Sequence, residues 1–111
     1  MYKTLFYQIK TYTIKTYFTY MLTNKNKTVI YTGMTNDIFR RVMEHKKHDN
    51  PTSFTARYNV DRLVWLEVFY SAGEAIAREK QIKGGSRTKK EALINLQNPD
   101  WDDLWEKWKE M

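Results

Sequence analysis

Residues 17–33 read YFTYMLTNKNKTVIYTG. β-Branched and aromatic residues dominate from Tyr17 to Leu22 and again from Thr28 to Thr32, and the polar run TNKNK between them supplies an Asn-rich turn, so this segment predicts two antiparallel strands. With the turn centred between Lys25 and Asn26, Leu22 faces Val29, Tyr20 faces Tyr31 and Phe18 faces Gly33. On the other side Met21 pairs with Ile30 and Thr19 with Thr32. Each face then carries apolar side chains, as a sheet covered by helices on both faces needs.

C-terminal to the hairpin, Asn36 or Thr35 can cap a helix whose stripe is Ile38, Phe39, Val42 and Met43 and which ends near Lys47. A loop through Pro51 leads to a third strand, LVWLEVF at 63–69. Ser71 with Glu74 forms a capping box for AGEAIAREKQIK, which Gly84 and Gly85 stop, and Thr88 with Glu91 suggests a cap for KKEALINL, closed by Asn98–Pro99. Trp101, Leu104, Trp105 and Trp108 recur at i, i+3, i+4 and i+7, the pattern of a C-terminal helix docking an aromatic stripe on the core. N-terminal to the hairpin, residues 1–16 carry no capping or turn signal and read as either an extra strand or a poorly ordered extension, to which no function is assigned, and residues 17–111 read as one domain.

Composition narrows the chemistry. The chain has 111 residues, 41% hydrophobic content and no cysteine, so it can bury one modest core without disulfides, and thiolate zinc sites and Cys nucleophiles are excluded. No apolar run approaches the ~20 residues that span a bilayer and no signal peptide opens the chain, which predicts a cytoplasmic protein without a membrane partner. A formal charge of +6 attracts polyanions, of which phosphate backbones are the commonest.

Certain residues break the structural pattern. On the helix over 72–83, Ala72, Ala75, Ile76 and Ile82 define a buried side and Glu79 falls at its centre. A lone buried carboxylate costs several kcal/mol. Glu79 is therefore paired with Arg41, Arg78 or a lysine, bound to a metal, or protonated, and an ion pair is the plainer reading. Arg41 and His45 lie one turn apart and could converge on a phosphate, although Arg40 flanks the stripe equally well. Adjacent Tyr20 and Tyr31 are equally at home in cross-strand packing. Gly33, where strand runs into helix, permits a close backbone approach.

Taken together, these blocks resemble the GIY-YIG nuclease superfamily, and in particular its small stand-alone bacterial proteins, from about Tyr17 to about Leu104. Phe18-Thr19-Tyr20 stands where the family has Gly-Ile-Tyr, and Tyr31-Thr32-Gly33 where it has Tyr-Ile-Gly. GMTNDIFRRVMEHK is similar to the segment after the second motif, and EAIAREKQIKGGSRTKKEALI followed by NPDWDDL to the C-terminal half of the small proteins. Phe18 and Thr32 depart from the motifs, and Met34 stands where some relatives carry a basic residue. The resemblance implies an α+β fold with a three-stranded antiparallel sheet flanked by helices. It also implies catalytic roles for Tyr20, Tyr31, Arg41 and His45, a metal-binding role for Glu79, and a family asparagine matched by Asn98 in preference to Asn95.

The implied reaction is hydrolysis of a phosphodiester in nucleic acid, DNA rather than RNA, in DNA repair or processing, with one Mg²⁺ or Mn²⁺ on Glu79. Lys46, Arg57, Lys83 and Arg87, with Lys89 and Lys90, are candidates for phosphate contacts. Six such contacts on duplex DNA would give a log–log salt slope of about −5. The alternatives are a catalytically idle nucleic-acid-binding module of the same fold, and an interaction domain recruiting a partner through its Trp-rich helix. The oligomeric state is left open.

Overall fold

The computed structural model describes residues 15–109; the extension expected over 1–16 therefore lies almost wholly outside the described residues. Strands β1 (Tyr17–Thr23), β2 (Ile30–Thr35) and β3 (Arg62–Phe69) form an antiparallel sheet in the order β2-β1-β3. Around it stand α1 (Ile38–Lys47), α2 (Phe54–Arg57), α3 (Ala72–Lys83), α4 (Arg87–Gln97) and α5 (Leu104–Lys109). This is the α+β architecture expected from the sequence, with the one-turn α2 as an element the sequence did not signal.

The hairpin register corrects the sequence reading. Tyr20 pairs with Gly33, Leu22 with Tyr31 and Phe18 with Thr35, so each β1 residue meets a partner two positions further along β2 than a turn centred on Lys25–Asn26 gives. The cause is Asn24. Its side-chain oxygen accepts from the amides of Thr28 (2.8 Å) and Val29 (3.2 Å), which takes both residues out of the ladder and delays pairing until Thr23 meets Ile30. Lys27 turns the loop with φ 58°. An even shift keeps every side chain on its expected face, so the core is unchanged while the cross-strand neighbours are not.

Both faces of the sheet are covered. On the first, Phe18, Tyr20, Leu22, Leu63 and Leu66 pack with Ile38 and Val42 of α1, Val60, and Leu104 and Trp108 of α5. On the second, Met21, Val64 and Trp65 pack with Ile82 of α3 and Ile94 of α4. A bulge lets β3 serve both: Met21 pairs with Trp65 and Leu22 with Leu63, so Val64 is an extra residue that changes the alternation. Thr19 donates its hydroxyl to the Ala75 carbonyl (2.8 Å) and pins α3 to the central strand.

Three helix boundaries differ from expectation. Asp37 caps α1 by accepting from the Arg40 amide, and Ser86, not Thr88, caps α4 through the Lys89 amide. Trp101 lies outside α5 with φ 53°, packs on the second-face cluster and donates its indole N–H to Asn95 (2.6 Å). Only Leu104, Trp105 and Trp108 form the docked stripe, with Trp105 and Trp108 stacked around Phe39 of α1 at 5.8 and 5.4 Å between ring centroids. Ser71 caps α3 as expected, and Gly84 ends it.

Candidate active site

Helix α1 runs across the first face beside the hairpin, and its Arg41–His45 turn meets the phenols of β1 and β2. Tyr20 is buried and points its hydroxyl at His45 Nε2 (3.3 Å), while Arg41 donates from Nε to the same hydroxyl (3.4 Å). Tyr31 completes the group, its ring centroid 6.3 Å from that of Tyr20 and 5.7 Å from that of His45. Four of the residues singled out in the sequence are thus brought together. The two tyrosines are diagonal rather than direct cross-strand neighbours, a separation aromatic side chains still bridge.

Gly33 is part of this construction for a reason other than the one the sequence suggested. A Cβ there would meet the Tyr20 Oη at 2.5 Å and Cζ at 2.6 Å, because the phenol lies across its cross-strand partner. Its φ is not in the left-handed region. The missing side chain makes room for Tyr20.

Electrostatics fix the protonation states. Burial pushes the Tyr20 phenol well above its ordinary value, and the neighbouring Tyr31 adds to this against the pull of Arg41. Tyr20 is therefore neutral over the physiological range. His45 is pushed down to about 4, by burial first and by the Arg41 charge second, so its imidazole is neutral. Its Nδ1 lies 3.0 Å from Thr55 Oγ1, in the buried middle of α2. One nitrogen of the neutral ring donates and the other accepts, so the imidazole bridges the Tyr20 and Thr55 hydroxyls in either tautomer. Burial works to lower the Arg41 pKa, but hydrogen bonds to Tyr20 and Glu44 outweigh it, and the guanidinium stays charged.

The sequence reading missed Glu44 and Thr55. Glu44 sits 3.2 Å from both Arg41 and Arg40, and the Arg41 hydrogen bond holds its carboxyl below the ordinary value. The i, i+3 and i, i+4 spacing to the two arginines was a legible signal for Glu44. Thr55 had none, because only the tertiary fold carries the loop after α1 back over His45. Tyr31, Arg41, Glu44, His45, Phe54 and Thr55 line a cleft of about 350 Å³.

The other expected site residues have partners of their own. Glu79 is partly buried on the face of α3 that carries Ala75 and Ile82: its side chain is 21% exposed, and of the partners expected for it the ion pair is with a lysine, Lys83 at 3.5 Å, not with Arg41 or Arg78, while Ile76, expected on the buried side, is exposed. The helix wheel overstated its burial because α3 buries only Ala75 and Ile82 fully. Lys46 is committed to Asp103 (2.6 Å) and the Asp61 carbonyl (3.0 Å), tying α1 to the chain before α5. Arg87 grips the carbonyls of Lys27 and Thr28 and pairs with Glu91, clamping α4 to the hairpin loop. Asn98 is fully buried and bonded to the Val64 and Asp102 backbone, holding the turn after α4 on β3. Arg57 is exposed, over the Tyr58 ring.

Among the described residues no cluster of three or more His, Asp or Glu side chains is arranged to hold a metal ion. Glu79 supplies a single carboxylate whose counter-ion is the half-exposed Lys83. That donor set fits a hydrated Mg²⁺ or Mn²⁺, which keeps most of its waters and takes one or two protein carboxylates.

A small three-stranded α+β domain that sets a phenol, a guanidinium and an imidazole in one cleft, with a second phenol buried behind them, has the make-up of a phosphoryl-handling domain. The model of the GIY-YIG catalytic domain matches residues 16–92, and the chain belongs to the GIY-YIG family. It is 38% identical over 78 residues to a UPF0213 protein of Natronomonas pharaonis, covering 70% of this chain and 89% of that one. A UPF0213 protein of Syntrophus aciditrophicus is 37% identical over 83 residues, 75% of this chain and 93% of its own length. The solution NMR structure of a UPF0213 protein from Bacillus halodurans superposes with a TM-score of 0.52 at 32% identity, covering 79% of this chain and 92% of that one. The GIY-YIG domain places the chain in an endonuclease superfamily, whose substrate is nucleic acid.

Proposed function

We propose that this protein is a metal-assisted endonuclease that hydrolyses phosphodiester bonds in DNA, with repair or processing as its setting. The observation that carries the reading is that Arg41, Tyr31 and His45 line one cleft with the buried Tyr20 hydroxyl behind them against Arg41 and His45, with Arg41 held charged and His45 held neutral.

Each side chain then has a task. Arg41 offers a forked donor to the phosphate oxygens and stabilises the charge that builds on them. Tyr20, protonated and gripped by Arg41 and His45, holds the guanidinium in place. Tyr31, the less buried phenol, faces the cleft and orients the attacking water. His45 is locked between Tyr20 and Thr55 as a neutral relay. Glu79 would hold a single Mg²⁺ or Mn²⁺, which when bound would supply Lewis-acid polarisation of a phosphate oxygen.

The test is incubation with single-stranded, duplex and branched DNA and with RNA, each with Mg²⁺, Mn²⁺ or a chelator, comparing wild type with Arg41→Ala. Divalent-dependent cleavage of DNA that Arg41→Ala abolishes is the expected result. Binding of DNA without cleavage under any of these conditions would instead establish the idle binding module.

A further inference from the structure

The two rings of Phe54 and Tyr58 are 51% and 48% exposed, belong to neither core cluster, and stand against each other with centroids 4.9 Å apart. Exposing two large aromatics side by side costs a domain solubility and gives it no core. Their placement is specific. Phe54 opens α2 and Tyr58 caps its C-terminus, and the buried Thr55 between them is bonded to His45, so the one-turn helix is fastened to the catalytic cluster through its inner face while the rings stay outside. Phe54 lines the same cleft as Tyr31, Arg41 and His45. Arg57 sets its guanidinium 5.8 Å from the Tyr58 ring centroid and puts a positive charge on the patch.

We infer that Phe54 and Tyr58 form a stacking site for an unpaired nucleobase next to the phosphate in the cleft, so that the substrate is single-stranded or locally opened nucleic acid. This rests on the nuclease reading for the identity of the polymer. An aromatic face binds any base, because every base has a π face, and a cation beside it holds the adjoining backbone. In a duplex both faces of each base are already stacked on neighbours, and only the edges are offered in the grooves. The site therefore selects by strandedness and not by sequence. The fastening of α2 to His45 fixes the distance from the stacked base to the reacting phosphate.

The experiment is fluorescence anisotropy in EDTA with three labelled probes: a 12-nucleotide oligothymidylate, an abasic oligonucleotide of the same length, and a 12-base-pair duplex. EDTA removes turnover, so a failure of the nuclease reading shows in cleavage assays and leaves this readout untouched. Wild type is expected to bind oligothymidylate more tightly than the abasic strand. Phe54→Ala with Tyr58→Ala should weaken oligothymidylate binding by about 5- to 100-fold, the range for loss of base–aromatic stacking, to the abasic level, and leave the duplex unchanged. Phe54→Leu with Tyr58→Leu keeps apolar bulk without the π faces and must give the same result, which covers loss of folding in the alanine pair. Equal binding of oligothymidylate and abasic strand by wild type, or undiminished oligothymidylate binding by the folded leucine pair, overturns the inference.

Discussion

The phenol of Tyr20 lies over the backbone of Gly33, its cross-strand partner, so closely that a methyl group there would stand 2.5 Å from the phenolic oxygen. The second motif glycine and the first motif tyrosine are thus a single packing unit, and that unit delivers the hydroxyl to Arg41 and His45.

Gly33→Ala is expected to push the ring out of this position. Tyr20 is buried among Leu22, Val42 and Leu66, so it has little room to yield, and overpacking of this kind costs about 1–3 kcal/mol. Urea unfolding checks the stability. Tyr20→Leu should relieve the clash, making the double variant more stable than the sum of the two single losses; additive losses would show that the contact is not the cause.

Arg41→Lys retains a positive charge and loses the fork. Because Arg41 bonds Tyr20 through Nε and Glu44 through Nη1 at once, an ammonium cannot replace it. Cleavage should fall by about 10²–10³, as for removal of a transition-state donor, with little change in melting temperature. Single-turnover kinetics with metal in excess measures this.

His45 sets a pH dependence of stability. Its folded pKa of about 4 is below the ~6.5 of an unfolded histidine. Between these values the unfolded chain binds the extra proton, so stability is complete above pH 6.5 and is lost progressively as pH falls towards 4. His45→Gln, which cannot titrate, should flatten this stretch of the urea-midpoint profile. A profile with the same slope in the variant assigns the dependence to other groups.

Glu79→Ala should abolish Mg²⁺- or Mn²⁺-dependent nicking and leave the fold and salt-sensitive DNA binding nearly intact, since its single ion pair is with Lys83, whose side chain is 52% exposed. Undiminished cleavage by the purified variant would sink the metal assignment.

Lys46→Ala is expected to act on stability and not on DNA. The Lys46–Asp103 pair is mostly shielded, at 22% and 12% exposure, and its loss strands an acceptor; about 1–3 kcal/mol is expected in urea unfolding. With Lys46, Lys83 and Arg87 paired within the protein, three of the six proposed cations remain for duplex contacts, and the log–log salt slope should be about −2.7 rather than −5.

The strands and the faces of their side chains were legible because each is a local or periodic property, while the four members of the cluster were singled out by the resemblance to the family, the helix wheel alone leaving Arg40 and Arg41 equivalent. Alternation along 17–33 fixes which side chains share a face, and the one-turn spacing of Arg41 and His45 puts both on one edge of α1. The register was not legible, because it depends on Asn24 spending its side chain on two amides of the loop. Nor were the true partners of Lys46, Arg87 and Asn98, each of which binds a segment far away in the chain. A basic residue on the surface of a helix looks the same in sequence whether it waits for a phosphate or is already bonded.

What the amino-acid order determined by itself is the identity of the elements, the two-sided sheet and the membership of the family, since hydrophobic period, caps and motif spacing act over a few residues. What only the tertiary structure decided is which groups meet. The loop after α1 returns Thr55 to His45, the hairpin offset lays Tyr20 on Gly33, and burial at that junction keeps the imidazole and the phenol neutral beside a charged guanidinium. Desolvation and contact between distant segments exist only once the chain has closed on itself.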